Sequence, residues 1–310
     1  MDEQPIRSIA ISTGGGDAPG LNAVIRATVL AAENRGWAVW GIRDGYHGLL
    51  APERYGGDGI IRLTRARVSG IAHLGGTILG TTNRGNPLRF PVQQPDGTWV
   101  EQDRGDELVA KLKERDIDAM VVVGGDGSLG IGYELAKRGL KIVGVPKTID
   151  NDLEKTFMTF GFDSAVSFAT ECLDRLHTTA ASHHRIMVVE VMGRYAGWIA
   201  LHAGIAGGAD AILIPEVPFE IEHVAEHIRR REKKGRLETL VVVAEGARPN
   251  GWAAWARRWA ASWNSSWAAR HAWSCWAICC AVARPRASIA SWRCASARPP
   301  SARWRPGTRA

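Results

Sequence analysis

Val121-Val-Val-Gly-Gly-Asp-Gly-Ser128, followed by Val145-Pro-Lys-Thr-Ile-Asp-Asn-Asp152, decides how this chain is read. A β-branched apolar run that opens into two glycines, an aspartate and another glycine has the pattern of a buried strand with a sharp turn at its C-terminal end. Such a turn presents backbone N–H groups and one carboxylate, which suits phosphate and metal chemistry. The second stretch adds Asp150 and Asp152 to Asp126. Three aspartates are expected to give one site enough negative charge for a magnesium ion and a proton acceptor.

Working outward, residues 6–12 form a short apolar strand that runs into Thr13-Gly-Gly-Gly-Asp-Ala-Pro-Gly20 and an amphipathic helix over 21–34. Glycines in that place let a phosphate approach a helix N-terminus, although such turns also occur for packing alone. Residues 37–42 read as the next strand, with Tyr46 in the loop beyond it, either stacked on a base or merely packed. A loop over 75–87, small and hydroxylated with one guanidinium, Arg84, suits a phosphate or a solvated turn equally. Residues 90–104 read as a hairpin or surface insertion. Helices over 107–115 and 129–139 alternate with strands over 117–123 and 141–145, which predicts a parallel, doubly wound sheet with its site at the strands' C-terminal ends.

A second α/β unit follows from about residue 162. A helix over 162–178 carries Cys172 as a packed thiol, and a strand over 186–191 is bracketed by Arg185 and Arg194, both able to face an anionic substrate. Helices over 198–206 and 221–231 alternate with strands over 211–214 and 240–244, the last ending at Glu245. The expected architecture is therefore two doubly wound α/β domains, residues 1–161 and 162–250, with the site in the cleft between them.

The formal charge of +7 resides in the tail: residues 1–250 carry 29 Lys/Arg against 32 Asp/Glu, whereas 251–310 carries ten Arg, no lysine and no acid. The body thus offers no basic surface for nucleic acid. With one cysteine there, a polar N-terminus without a secretory pattern and no apolar run near the roughly twenty residues of a membrane span, a cytoplasmic enzyme is expected.

From residue 9 to about 249 the motifs resemble the 6-phosphofructokinase family. NAD kinases and lipid kinases share Gly-Gly-Asp-Gly, but not the Pro-Lys-Thr-Ile-Asp-Asn-Asp and Met-Gly-Arg-Tyr segments. The resemblance implies transfer of the γ-phosphoryl group of ATP to the 1-hydroxyl of fructose 6-phosphate. It places Gly16, Tyr46, Arg84, Gly85, Gly125, Gly127 and Ser128 on the nucleotide side, with Asp126 as the Mg2+ ligand. Thr148, Ile149, Asp150 and Asp152 match the loop at the transferred group, Asp150 as base. Arg194 matches the residue that stabilises the transition state, with Met192, Gly193 and Glu245 at the sugar. Arg185 matches an arginine that reaches the 6-phosphate of a neighbouring subunit, implying a homodimer or homotetramer.

Two positions bear on the donor. Gly127 resembles the ATP users, because pyrophosphate users carry an aspartate there that obstructs the α-phosphate. Lys147 resembles the pyrophosphate users. A fixed carboxylate blocks ATP while a flexible lysine can move aside, so ATP is expected, with a pyrophosphate-dependent enzyme as the alternative. Arg26 and Arg65 match effector-site arginines, but Leu30 and Gly70 depart from that pattern, so a weak or absent response to ADP and phosphoenolpyruvate is expected.

The tail holds nine of the thirteen tryptophans. It lacks the family's Leu-Gly-His-x-Gln-Arg-Gly-Gly type segment, which supplies further cations to the sugar phosphate. Loss of two charge-assisted contacts would weaken binding on the order of 10²- to 10⁴-fold, so a truncated, non-catalytic subunit is a third reading. Tryptophan, arginine, alanine and serine without acids is what a GC-rich coding region yields out of frame. Resequencing the coding DNA is expected to reveal a frame error near codon 250; an intact frame there refutes this account.

Overall fold

The computed structural model describes residues 5–248 and the backbone of Ser274–Ala277. In chain order the first half contains β1 (Ser8–Thr13), α1 (Leu21–Glu33), β2 (Ala38–Ile42), the single turn α2 (His47–Leu50), β3 (Ile60–Leu63), β4 (Phe90–Gln93), β5 (Trp99–Gln102), α3 (Gly105–Lys113), β6 (Ala119–Gly124), α4 (Asp126–Lys137), β7 (Lys141–Thr148) and β8 (Phe160–Gly161). The second half contains α5 (Phe162–His183), β9 (Ile186–Val191), α6 (Trp198–Ala206), β10 (Ala211–Leu213), α7 (Ile221–Lys233), β11 (Thr239–Ala244) and β12 (Ser274–Ala277).

Besides the two-stranded pair of β4 and β5, two larger sheets result, one ordered β3-β2-β1-β6-β7-β8 and the other β10-β11-β9-β12. The second is parallel throughout. The first is parallel except at its edge, where β3 runs antiparallel to β2, a departure from the all-parallel expectation. Every residue of β1 and β11 is buried, as a parallel strand covered on both faces requires. Ile11, Ile25, Val29 and Leu63 pack on one face of the first sheet, Leu108, Leu112, Met120 and Leu135 on the other. Leu173 of α5 and Ala203 of α6 pack with the strands of the second.

The hairpin over 90–104 is present as the antiparallel pair β4 and β5. Two elements differ from expectation where it matters. Helix α4 starts at Asp126 instead of 129, so the Asp-Gly-Ser segment is its first turn. Strand β7 continues to Thr148 instead of ending at 145. Pro146 is tolerated because it faces Gly124, the last pair of the β6 ladder, where a missing N–H costs least. Cys172 packs against the second core, and burial pushes its thiol up. The tail reading concerns residues outside those described, apart from β12, whose backbone pairs in parallel with β9.

Leu173 has no exposed surface, and a methyl at Gly207 would come within 2.8 Å of its side chain, so it wedges α5 against the end of α6. Leu173→Ala is expected to cost about 2–5 kcal/mol. Urea unfolding checks this, and an unchanged midpoint contradicts it.

Candidate active site

Three strand ends meet because the registers align: Thr13 of β1 faces Val123 of β6, and Gly124 faces Pro146 of β7. Beyond β1 the Gly-rich turn is tied down. Gly14 N–H donates to the Val123 carbonyl at 2.9 Å and Gly15 N–H to the Thr82 carbonyl at 3.1 Å. Those two amides are consumed by the protein, so the turn is not the open row of donors that its glycines predict. The glycines serve close approach instead. A Cβ at Gly14 would lie 2.7 Å from Ser128 Oγ, and one at Gly124 would lie 2.3 Å from Ser128 Cβ. The loop over 75–87 is fastened to this turn by Thr81, whose hydroxyl donates to the Gly15 carbonyl at 2.7 Å, and by Thr13 Oγ1 donating to the Gly80 carbonyl at 2.8 Å.

Opposite the Gly-rich turn stands the N-terminus of α4. Its cap, Gly125, offers no side-chain acceptor, and the first N–H groups of a helix lack intrahelical partners. Asp126 and Gly127 are exposed there, and nothing lies within 4 Å of a Cβ built on Gly127. Helix dipole and N–H groups together favour an anion at this end. Lys147, on the adjoining strand, is only 3% exposed and donates from Nζ to the Gly16 carbonyl. Burial pushes its amine down, while Asp17 and then Asp150 pull it back up.

After β7 the chain turns through Asn151 in a left-handed conformation, φ 53°. Asn151 Oδ1 accepts the Thr159 N–H at 2.9 Å, and the Thr159 hydroxyl donates to the Thr148 carbonyl at 2.6 Å, closing the loop. Asp150 N–H donates to Thr148 Oγ1 at 3.1 Å. The Asp150 carboxyl is raised, first by burial and next by neighbouring Asp152, while Thr148 and Arg194 oppose the rise. A raised carboxylate is a stronger base.

The second sheet contributes the turn after β9. Glu245, just beyond β11, accepts the Gly193 N–H at 3.1 Å and the Arg194 N–H at 2.6 Å, both on Oε1. Gly193 at φ 150° and Arg194 at φ 52° adopt conformations that favour glycine, and the two bonds to Glu245 hold them there. A Cβ on Gly246 would strike the Arg194 carbonyl at 2.3 Å. The Arg194 side chain, 61% exposed, reaches toward Asp152 with Nη1 4.0 Å from Oδ2.

A cavity of about 620 Å³ joins the two sheets, lined by the Gly-rich turn, Arg84, Gly85, the Gly125–Ser128 segment, Lys147 to Asp150, Met192 and Arg194. A second, of about 720 Å³, is lined by Glu190, Arg194, Tyr195, Glu245 and Arg248. Arg194 belongs to both. Most of the sequence-identified residues are thus brought together, with exceptions. Among the described residues no three His, Cys, Asp or Glu side chains converge as a metal cluster, so Asp126, Asp150 and Asp152 are not one cation cage. Tyr46 touches the cavity, but its ring is 6% exposed and packs in the first core beside Leu49. Arg185 precedes β9 and Arg194 follows it, so six extended residues, roughly 20 Å, separate them and they do not share a site in one chain. Arg65 donates from Nη2 to Asn34 Oδ1 at 2.7 Å and lies near Glu33. Sequence reading passed over Asp17, Asn83, Glu190 and Arg248; only Asp17, next to the three glycines, carried a local signal.

The Phosphofructokinase family model matches residues 8–272, reaching into the tail. ATP-dependent 6-phosphofructokinase 2 of Clostridium perfringens is 53% identical over 247 residues, which cover 79% of this chain and 66% of the relative. Pyrophosphate–fructose 6-phosphate 1-phosphotransferase of Amycolatopsis methanolica is 49% identical over 246 residues, with shares of 79% and 67%. The T-state structure of Pichia pastoris phosphofructokinase superposes with a TM-score of 0.68 at 37% identity, covering 80% of this chain and 27% of that one. Pyrophosphate-dependent phosphofructokinase from Marinobacter aquaeolei, at 22% identity and a TM-score of 0.68 over 88% of this chain and 68% of that one, shares the fold. This chain spans about 66% of the length of the first curated relatives it matches. With the family match running through both sheets and every turn around the cavity, the chain belongs to the phosphofructokinase family.

Proposed function

We propose that the chain transfers the γ-phosphoryl group of ATP to the 1-hydroxyl of fructose 6-phosphate. The observation that carries this is the pair of cavities meeting at Arg194, one with phosphate-binding features and the other anchored by Glu245. Residues 1–161 then hold nucleotide and metal, and 162–250 hold the sugar phosphate. Relatives bearing both donor names exceed 45% identity, with ATP-dependent 6-phosphofructokinase of Chloroflexus aurantiacus at 54%.

In this reading Gly16, Arg84, Gly85 and the Gly125–Ser128 segment cradle the donor's phosphates. Asp126 is exposed at the cavity without two further acidic partners, which fits Mg2+, an ion held by one or two carboxylates together with phosphate oxygens and water. When bound, that ion would neutralise charge on the donor's phosphates. Asp150 accepts the proton of the sugar 1-hydroxyl, its basicity raised by burial and Asp152. Thr148 and Ile149 flank it, and Arg194 faces the charge that develops on the transferred group. Glu245 spends Oε1 on holding Gly193 and Arg194 in place, so it orients the arginine as well as lining the sugar cavity with Met192 nearby. Arg185 serves the site of a second copy in a homodimer or homotetramer. Among the described residues no helix is long and apolar enough to cross a membrane, in keeping with a cytoplasmic place and small-molecule partners.

Pyrophosphate is the second reading. It is favoured by the buried Lys147 at the Gly-rich turn and by the Amycolatopsis relative's name. Open space at Gly127 leaves room for a nucleotide's α-phosphate, which supports ATP.

A coupled assay for fructose 1,6-bisphosphate with each donor tests this. Turnover with ATP is expected; turnover with pyrophosphate alone overturns the donor, and Mg-ATP binding without turnover favours a non-catalytic subunit. Asp150→Asn is expected to reduce kcat about 10²- to 10⁴-fold. The base works ionised, so kcat/KM falls as pH drops through a value above the ordinary aspartate range. Asp152→Asn removes one cause of that rise and is expected to move the acid limb to lower pH; an unmoved limb contradicts the assignment of Asp150.

A further inference from the structure

Asp17 has no role in the reading above, and Lys147 enters it only through the pyrophosphate alternative. Lys147 is buried on β7 with its ammonium on the Gly16 carbonyl. A carbonyl supplies a hydrogen bond but no countercharge, and a buried ammonium without an anion nearby is costly. Asp17 follows Gly16 in the same turn and lines the same cavity, and its Oδ1 is buried with no hydrogen-bond donor. The pair makes no direct ion-pair contact. The two charges nevertheless act on each other: after burial, Asp17 is the foremost influence on the Lys147 amine, while burial pushes the Asp17 carboxyl up and the Ala18 backbone N–H and then Lys147 pull it back down. Asp150 is the other acid acting on Lys147, and it sits in the loop with Asp152 and Thr148.

We propose that Asp17 is a positioning residue that holds the Lys147 ammonium against the Gly16 carbonyl, so that the donor's phosphates meet a cation fixed at the Gly-rich turn. This rests on the donor cavity assigned above. A lysine stem has four rotatable carbons, and a mobile ammonium would lose entropy each time a donor bound. An anion in the turn removes that cost beforehand. Its direct effect is on binding rather than on the chemical step.

Isothermal titration with Mg-ATP and with Mg-pyrophosphate on the full chain tests this in a double-mutant cycle of Asp17→Asn and Lys147→Met. Asp17→Asn is expected to weaken the better donor at least tenfold, about 1.4 kcal/mol, and to raise its KM more than it lowers kcat. In the Lys147→Met background the same change should matter by less than about twofold, and Asp17→Glu should restore part of the binding. An equal loss in both backgrounds overturns the positioning role. Urea unfolding of the same four proteins reads the pair without any donor: Asp17→Asn should lower the midpoint only where Lys147 is present, and additive shifts refute the pairing. If neither donor binds the parent chain, the donor cavity falls, while the unfolding cycle still judges the pair separately.

Discussion

Parallel pairing of β6 with β1 on one side and β7 on the other is the interaction on which everything else rests. The ladder aligns Thr13, Gly124 and Pro146 at one edge, so three turns distant in sequence open onto one cavity. Hydrogen bonds between backbones set that alignment, and buried β-branched residues make a slip costly, because a shift of one residue would turn every side chain to the wrong face. The glycines at the edge are then needed for a steric reason. Gly14, Gly124 and Ser128 pack so closely that a single added carbon collides.

The cavity is polar where the sheet ends and charged where the second half of the chain reaches it. Lys147, Asp17, Asp150, Asp152 and Arg194 form a chain of alternating and like charges across it. Desolvation is the leading cause of every shift among Asp17, Lys147 and Asp150, and it strengthens the interactions among them. A site so built offers cations to an anion without a large basic surface, in accord with an acidic body.

Glu245 links the second sheet to this arrangement. One carboxylate oxygen accepts from two consecutive N–H groups, and of the two residues only Arg194 carries a side chain in the left-handed region, where it is strained. Arg194 is held by its backbone while its side chain stays exposed between two cavities. The base of the guanidinium is thus fixed, while its fork reaches Asp152 on one side and the Tyr195 ring on the other.

Much was legible in the sequence. Continuous apolar β-branched runs that end in glycine-rich turns disclosed the alternation of strands and helices, and the Gly-Gly-Asp-Gly and Thr-Ile-Asp-Asn-Asp segments marked strand ends that open onto the cavity, because local patterns register local constraints. Element ends were less legible: α4 begins three residues early and β7 ends three late, the latter because Lys147 pairs with Phe160 of β8 and bonds the distant Gly16 carbonyl. Tertiary structure alone decided that the Gly14 and Gly15 amides are consumed, that Tyr46 faces a core, that Arg185 and Arg194 lie at opposite ends of a strand, and that Asp17 and Lys147 line one cavity. Each depends on what another part of the chain places within a few ångströms, and no spacing along the sequence encodes that distance.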